Sequence, residues 1–473
     1  LAAVVSEVGG GVQSRERHAV VVGGSIAGLL AARVLADHAE RVTVVERDRP
    51  SEADSRRSGA PQSRHTHVLL EGGQSALEAV LPGFMAELRA AGAPRVGMPE
   101  HMVQWQNGGW YRRTAATTHL HTGTRAQLER LVRQRVLEHS AIDAVQGTEV
   151  VGLVGDADRV RGVQLRGRDE GPRAEPRTLR ADLVVDATGR GTKAGRWLTG
   201  IGAEPPHEEI IDSGLAYATR VYRDTESRLG TTALGYYMVP NPRQTLGAVV
   251  LPIEDGTYLA TLSGLRGDEP PTDGEDFEAY AKRLPHPIVY DWMRASEPLS
   301  PVVGFRRTAN VRRRYDLPGR RPAGFLATGD ALCTFNPIYG QGMTVAAQNA
   351  VALREALTDP RRTPGTRRVQ RALLDSSRLA WDISAGADKQ MPGVWGNALG
   401  TPAAARPAGW YLARVQQRAG TDPVIGRAFR AVLGLNAPVT ALFAPEVARR
   451  VLFTPVRPGA DRPPLESEAA GGS

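Results

Sequence analysis

The stretch Gly23-Gly24-Ser25-Ile26-Ala27-Gly28 lies between a β-branched run, Ala19–Val22, and a segment whose apolar residues Ile26, Leu30 and Val34 repeat at helical spacing. Set against the pattern G-x-G-x-x-G, the glycine positions fall on Gly23, Ser25 and Gly28. The first allows a tight turn, the second a close approach to a pyrophosphate, and the third close packing of helix on strand. Ser25 departs from the pattern, but it is small, and its hydroxyl can reach a phosphate oxygen. The backbone N–H groups of Ser25, Ile26 and Ala27 open a helix, where the dipole favours an anion. Glu46 closes a second buried strand, Val42–Val45, at the spacing that suits a carboxylate on an adenosine ribose, with Arg47 beside it. The alternative is a plain Gly-rich turn with a surface glutamate. The strand–turn–helix context favours the dinucleotide reading.

A second stretch carries complementary chemistry. Phe325–Thr328 is a buried strand that delivers Asp330, whose carboxylate could accept hydrogen bonds from a ribityl chain. Asn336 to Thr344 then form a Pro/Gly-rich turn running into a helix. The backbone of Pro337, Gly340, Gly342 and Met343 would meet the pyrimidine edge of a flavin, where a helix start steadies the charge of the reduced ring. Gly340 and Gly342 permit close approach. A plain strand–loop–helix joint explains these glycines, but not their pairing with the N-terminal motif.

In the order of its motifs the chain resembles the FAD-dependent monooxygenases of the aromatic-hydroxylase type. The resemblance runs from about Ala19 to Leu357. It rests on the N-terminal phosphate loop, Arg125 on an early helix, Asp186-Ala187-Thr188-Gly189-Arg190-Gly191-Thr192, and Gly329-Asp330 with Pro337–Thr344. It implies that Arg125 reaches the pyrophosphate or ribityl region and that the Val150 backbone reaches the adenine. Several segments look closest to the alkene epoxidases of polyether-type natural-product pathways: Gly59–His67, Asp212-Ser213-Gly214 with Tyr217–Arg220, Leu251–Gly256 and Phe335–Met343. That likeness implies a place for Arg64 near the flavin.

These residues need a scaffold. The strand–helix–strand start predicts a parallel sheet, and the strands Leu215–Tyr222, Leu234–Val239, Leu246–Pro252 and Tyr258–Ser263 predict an inserted antiparallel one, with Glu254-Asp255-Gly256 as a hairpin turn. The expected fold is an α/β, Rossmann-like FAD-binding domain of the glutathione-reductase type with an inserted, mostly antiparallel substrate sheet and a C-terminal helical region. The FAD-binding parts span 17–102, 123–204 and 322–400. The substrate sheet spans 103–122 and 205–321, and the helical region 401–454. Residues 1–16 and 455–473 read as a disordered extension and tail. Thr124 and Gln127 fit a capping box at the start of the Arg125 helix.

Composition limits the classes. The 473 residues carry 59 Lys+Arg against 51 Asp+Glu, a net +8, but the basic residues are scattered arginines with no nucleic-acid reader motif around them. The one cysteine, Cys333, excludes an intrachain disulfide and fits a reducing cytoplasm. No apolar run is long enough to span a bilayer. His65 and His67 lack the Cys, Asp or Glu company of a metal site, so no metal is expected.

The resemblance implies FAD, O2, and either NAD(P)H or a separate flavin reductase as electron source. One oxygen atom would reach a hydrophobic small molecule through a flavin C4a-hydroperoxide, with epoxidation of a polyene or prenyl-type alkene expected. No protein acid or base is strictly required for that step. The alternatives are aromatic hydroxylation, flavin-dependent halogenation, prenyl-chain reduction, and a non-catalytic nucleotide-binding protein. Trp105, Tyr217, Tyr237 and Met238 are candidates for the pocket lining, with simple core packing the commoner role for each. A carrier protein or a second copy of the chain is a further candidate partner.

Overall fold

The computed structural model describes residues 17–49, 65, 67–171, 173–400 and 406–468. The N-terminal extension 1–16, Arg64, the loop Ser51–Ser63, the residues 401–405 that begin the C-terminal region, and 469–473 lie outside the described residues.

The first sheet is five-stranded and parallel. Its order is Phe325–Ala327, Leu183–Asp186, His18–Val22, Arg41–Glu46 and Ile142–Gln146. Its central strands are β-branched and buried, as strands covered on both faces must be. Parallel register brings their carboxyl ends to one edge: Val22 lies opposite both Asp186 and Val45, and Asp186 opposite Ala327. The loops that follow therefore meet outside that edge, where open α/β sheets bind ligands. The helix Ile26–Leu35 covers this sheet and packs against both Arg125–Leu137 and Gly342–Thr358.

An eight-stranded sheet forms the second layer. Its register runs Thr219–Thr261–Val249–Tyr237–Gln104 across strands, and one residue on it runs Ala218–Leu262–Ala248–Met238–Trp105. Alternation sends these rows to opposite faces. The second row buries itself with Tyr222, Tyr236 and Val250 against Phe277 and Trp292 of the helices Gly274–Tyr280 and Ile288–Ala295. The first row, with Tyr217 and Ser263, takes the other face. Trp105 and Met238, candidates for the pocket lining, thus sit on the far face, because pairing parity decides the side and sequence alone does not reveal it.

Two stretches grouped by sequence with this sheet pair elsewhere. Thr118–Gly123 joins His67–Leu69 and Arg95–Met98 in a three-stranded sheet. His207–Asp212 and Asn310–Arg314 pair with each other and with Cys333–Thr334 and Trp395–Gly396. Cys333 is buried there as a packing residue.

The layers are tied by one cap. Thr124 accepts from the Gln127 N–H at 3.3 Å, but the reciprocal arm of the box does not come from Gln127. It comes from Glu254 at the distant hairpin, which accepts from the Thr124 N–H at 2.9 Å and from its hydroxyl. The hairpin turn bends through Asp255 and Gly256, both with positive φ.

Three helices, Arg406–Arg418, Pro423–Leu433 and Pro445–Phe453, close round Val415, Ile425 and Val451. The tail from 455, expected to be disordered, is described as far as 468 and makes contacts with the β-sheet layer. Buried Arg113 donates to the carbonyls of Pro464 and Leu465, Arg112 pairs with Glu468, and Trp110 bridges to Ala460. Backbone carbonyls satisfied by a buried guanidinium hold a Pro-rich segment that composition alone leaves loose.

Candidate active site

The converging loops enclose a cavity of about 450 Å³. The N-terminal loop contributes Gly23, Ser25, Ile26 and Ala27 to its wall, and the next strand end adds Glu46 and Arg47. Arg125 and Val150 line it from the capped helix and the strand Thr148–Gly155. From the far loop come Asp330, Pro337, Gly340, Gly342 and Met343. Gly28 is set back from the cavity. A Cβ there would stand 1.8 Å from the Gly23 carbonyl oxygen, so it holds the helix against the turn. Gly23 has φ +106, and a Cβ on it would meet the Ala187 carbonyl oxygen at 2.5 Å.

The phosphate loop is braced from two sides. The Glu46 carboxylate accepts from the Gly24 N–H at 2.9 Å and the Asp48 N–H at 3.0 Å. Arg125 donates to the Ser25 hydroxyl at 2.7 Å, and Arg133 of the same helix donates to the Gly24 carbonyl at 2.8 Å. Arg133 was not singled out from sequence. Its arginine-rich helix surface gives no hint that two of its guanidinium groups reach one loop.

Between the loops, Asp186 is fully buried and folds its own turn, accepting from the Thr188 N–H and hydroxyl and from the Thr192 hydroxyl. Burial raises its pKa above the ordinary 3.8 against those bonds. Arg190 in that turn donates to the carbonyls of Ala309 and Phe335, which ties the motif to the far loop. Asp330 faces the cavity, and its carboxylate makes no hydrogen bond or ion pair among the described residues. Burial pushes its pKa above 3.8, while the charges of Arg190, Arg125 and Arg313 pull it down.

Beneath the far loop sits a buried carboxylate that sequence reasoning did not find. Asp388, 1% exposed, accepts from Asn310 at 2.7 Å, from Asn336 at 3.0 Å and from the Tyr339 hydroxyl at 2.8 Å. Asn336 also accepts from the Ile338 N–H at 3.3 Å, and its own N–H donates to Asn310. One acceptor thus fixes the turn Pro337–Tyr339 from three elements. Leaving buried donors unmatched costs about 1–3 kcal/mol. Asp388→Ala should lower the melting temperature by several degrees and loosen the loop, read as faster amide exchange at Ile338–Gln341. Asp388→Asn, which keeps an acceptor oxygen, should recover part of both.

The opposite wall comes from the eight-stranded sheet. Phe305 lines the cavity and pairs in register with Tyr217, so the row carrying Tyr217 turns toward it. His65 lies edge-on to Tyr217 at 4.7 Å, with Nδ1 at 2.8 Å from the Thr219 hydroxyl. Burial raises the Tyr217 phenol and pushes that of Tyr237 up to about 12, so both stay neutral. Phe335, from the segment Phe335–Met343, also lines the cavity, as do Phe305, Arg307 and Trp197, unforeseen because nothing local distinguishes them. Among the described residues, no cluster of His, Cys, Asp and Glu is placed to hold a metal ion.

With this geometry in view, residues 16–383 match the family described as FAD binding domain. The chain belongs to this family. It is 32% identical over 434 residues to Protein Rv3254 of Mycobacterium tuberculosis (strain ATCC 25618 / H37Rv), covering 89% of this chain and 90% of that protein. It is 27% identical over 394 residues to 6-methylpretetramide 4-monooxygenase of Streptomyces rimosus, covering 76% and 83%. Among solved structures it superposes on the flavin-dependent brominase Bmp2 with a TM-score of 0.63 at 16% identity, over 88% of this chain and 94% of that one. That last likeness shows the fold alone. The protein is an FAD-dependent monooxygenase with an α/β FAD-binding fold, an inserted sheet and C-terminal helices, and its cofactors are FAD, O2 and an NAD(P)H-derived electron supply.

Proposed function

We propose that this monooxygenase inserts one atom of O2 into an electron-rich alkene of an apolar polyene or prenyl-type intermediate, giving an epoxide. The cavity suits FAD. Gly23 and Gly28 leave no room for side chains, Gly191 opens onto it with no atom within 4 Å of a would-be Cβ, and Asp330 offers an unmatched carboxylate. In this reading the N–H groups of Ser25–Ala27 and Arg125 hold the pyrophosphate. Glu46 and Arg47 take the adenosine ribose, and the Val150 backbone takes the adenine. Asp330 accepts from the ribityl hydroxyls, and the turn from Pro337 to Met343 meets the ring. Bound FAD supplies oxygen activation once it is reduced.

The observation that carries the alkene reading is the neutral wall. Tyr217, Thr219, Thr261, Ser263, Val249, Tyr237 and Gln104 share the sheet face that presents Phe305 to the cavity, and none of these seven carries charge near neutral pH, while Arg190 and Arg307 line the cavity elsewhere. Such a wall orients an apolar chain and keeps water out. A phenol awaiting hydroxylation wants a base, and an alkene does not. A second reading, hydroxylation of an aromatic polycycle, is favoured by the similarity to 6-methylpretetramide 4-monooxygenase.

The test supplies the holoenzyme with NADPH, ¹⁸O2 and either a linear prenyl alcohol or a phenolic polycycle. The expected product is the prenyl alcohol with one labelled oxygen, which then takes up one solvent water in mild acid. Labelling of the polycycle alone, in a product inert to acid, would favour the second reading. Gain of two hydrogens or of bromide would overturn both.

A further inference from the structure

The C-terminal helices leave unusual side chains uncovered. Residues 406–457 carry eight arginines against two carboxylates, Asp422 and Glu446, so this one segment holds six of the chain's net +8 charges. The same segment exposes Trp410 at 56%, Phe443 at 46%, Leu452 at 41%, Phe453 at 80% and Val456 at 49%. Isolated exposed apolar residues are ordinary, but a cluster of large ones marks an interaction surface.

These residues form one patch. The Arg414 guanidinium lies 5.0 Å over the Trp410 ring and donates to the carbonyls of Val451 and Leu452, so Trp410 and Leu452 flank it. Phe443 stacks at 4.6 Å on Tyr411, the residue after Trp410. On the helix Pro445–Phe453, Arg449 and Phe453 are four residues apart and share an exposed side. Arg427, Arg449 and Arg457 are exposed and pair with no carboxylate among the described residues.

We propose that this face docks on the surface of an anionic phospholipid bilayer, with the aromatic side chains entering the headgroup boundary and the arginines meeting lipid phosphates. Large apolar side chains ringed by arginines are what an interfacial helix presents. Charge decides against a second copy of the chain, since a symmetric contact would set this surplus of positive charge against itself. No helix among the described residues is long and apolar enough to cross a membrane, so the attachment is peripheral. The same region touches the cofactor-side scaffold: Gln348 of the helix Gly342–Thr358 donates to the Leu435 carbonyl, and the Gly72 N–H to that of Gly434. An apolar substrate dissolved in the bilayer would then lie close to the enzyme.

Flotation of the FAD-loaded protein with vesicles tests this. One set is phosphatidylcholine alone, the other phosphatidylcholine with phosphatidylglycerol. We expect at least about tenfold tighter binding to the anionic set, weakening as salt rises. Arg449→Glu with Arg457→Glu, and separately Trp410→Ser with Phe453→Ser, should each weaken it about tenfold while FAD content stays unchanged. Equal binding to both sets, no binding, or binding untouched by the substitutions would overturn the proposal. So would a dimer in sedimentation that Phe453→Ser dissociates, because the patch would then belong to a second copy.

Discussion

Gly28→Val should yield a protein without bound flavin. A Cβ at this position falls 1.8 Å from the Gly23 carbonyl oxygen, and that oxygen belongs to backbone that cannot turn aside. The helix would have to back away from the strand end, taking the N–H groups of Ser25–Ala27 with it. Overpacking of this kind costs about 3 kcal/mol, which is about a hundredfold in affinity if the loss falls on cofactor binding. The readout is the dissociation constant for FAD by fluorescence quenching, with circular dichroism to confirm the fold. Ser25→Gly is the companion variant. It restores the full glycine pattern and removes only a hydroxyl bonded to Arg125, so it should keep FAD within a fewfold of the parent. Retention of full affinity in Gly28→Val would remove the phosphate loop from the account.

Asp330→Asn should separate stability from cofactor affinity, moving them in opposite directions. The carboxylate has no partner among the described residues, and burial raises its pKa above 3.8. The folded apoprotein therefore holds this proton more tightly than the unfolded chain does. Its contribution to stability is best at low pH and is lost as pH rises from about 3.8 through the raised folded value. Above that window the aspartate is a burden to the apoprotein, and asparagine relieves it. The apo variant should melt higher at neutral pH, while its FAD affinity drops ten- to a hundredfold through loss of a charged acceptor. Thermal melts of both apoproteins across pH, alongside FAD titrations, check the two signs. A variant that both melts lower and binds FAD as before would contradict the assigned role.

How much of this was legible in the sequence follows from the range of the forces involved. The glycine loop and the strand delivering Asp330 are set by contacts within a few residues, and each was readable; of the Thr124 cap only the Gln127 N–H arm is local, and its other arm comes from distant Glu254. The fold class followed, because β-branched runs alternating with helical spacing leave few architectures. What could not be read depends on pairings between distant segments. Arg133 and Arg190 act on carbonyls far along the chain, at Gly24 and Phe335. Asp388 serves a turn from 52 residues away. Trp105 and Met238 pack in the core of the far face, because a strand's inward side is fixed only by its register. The contacts of the tail were not readable either, because composition reports what a segment can bury and Arg113 reaches it through its carbonyls.

The most direct measurement is a crystal structure of the protein grown with FAD. The account predicts one continuous ligand, its adenosine by Glu46, its pyrophosphate at the N–H groups of Ser25–Ala27 beside Arg125, its ribityl chain at Asp330 and its ring against Pro337–Met343. Flavin density that avoids either glycine loop, or a cavity left without flavin at saturating cofactor, would contradict it.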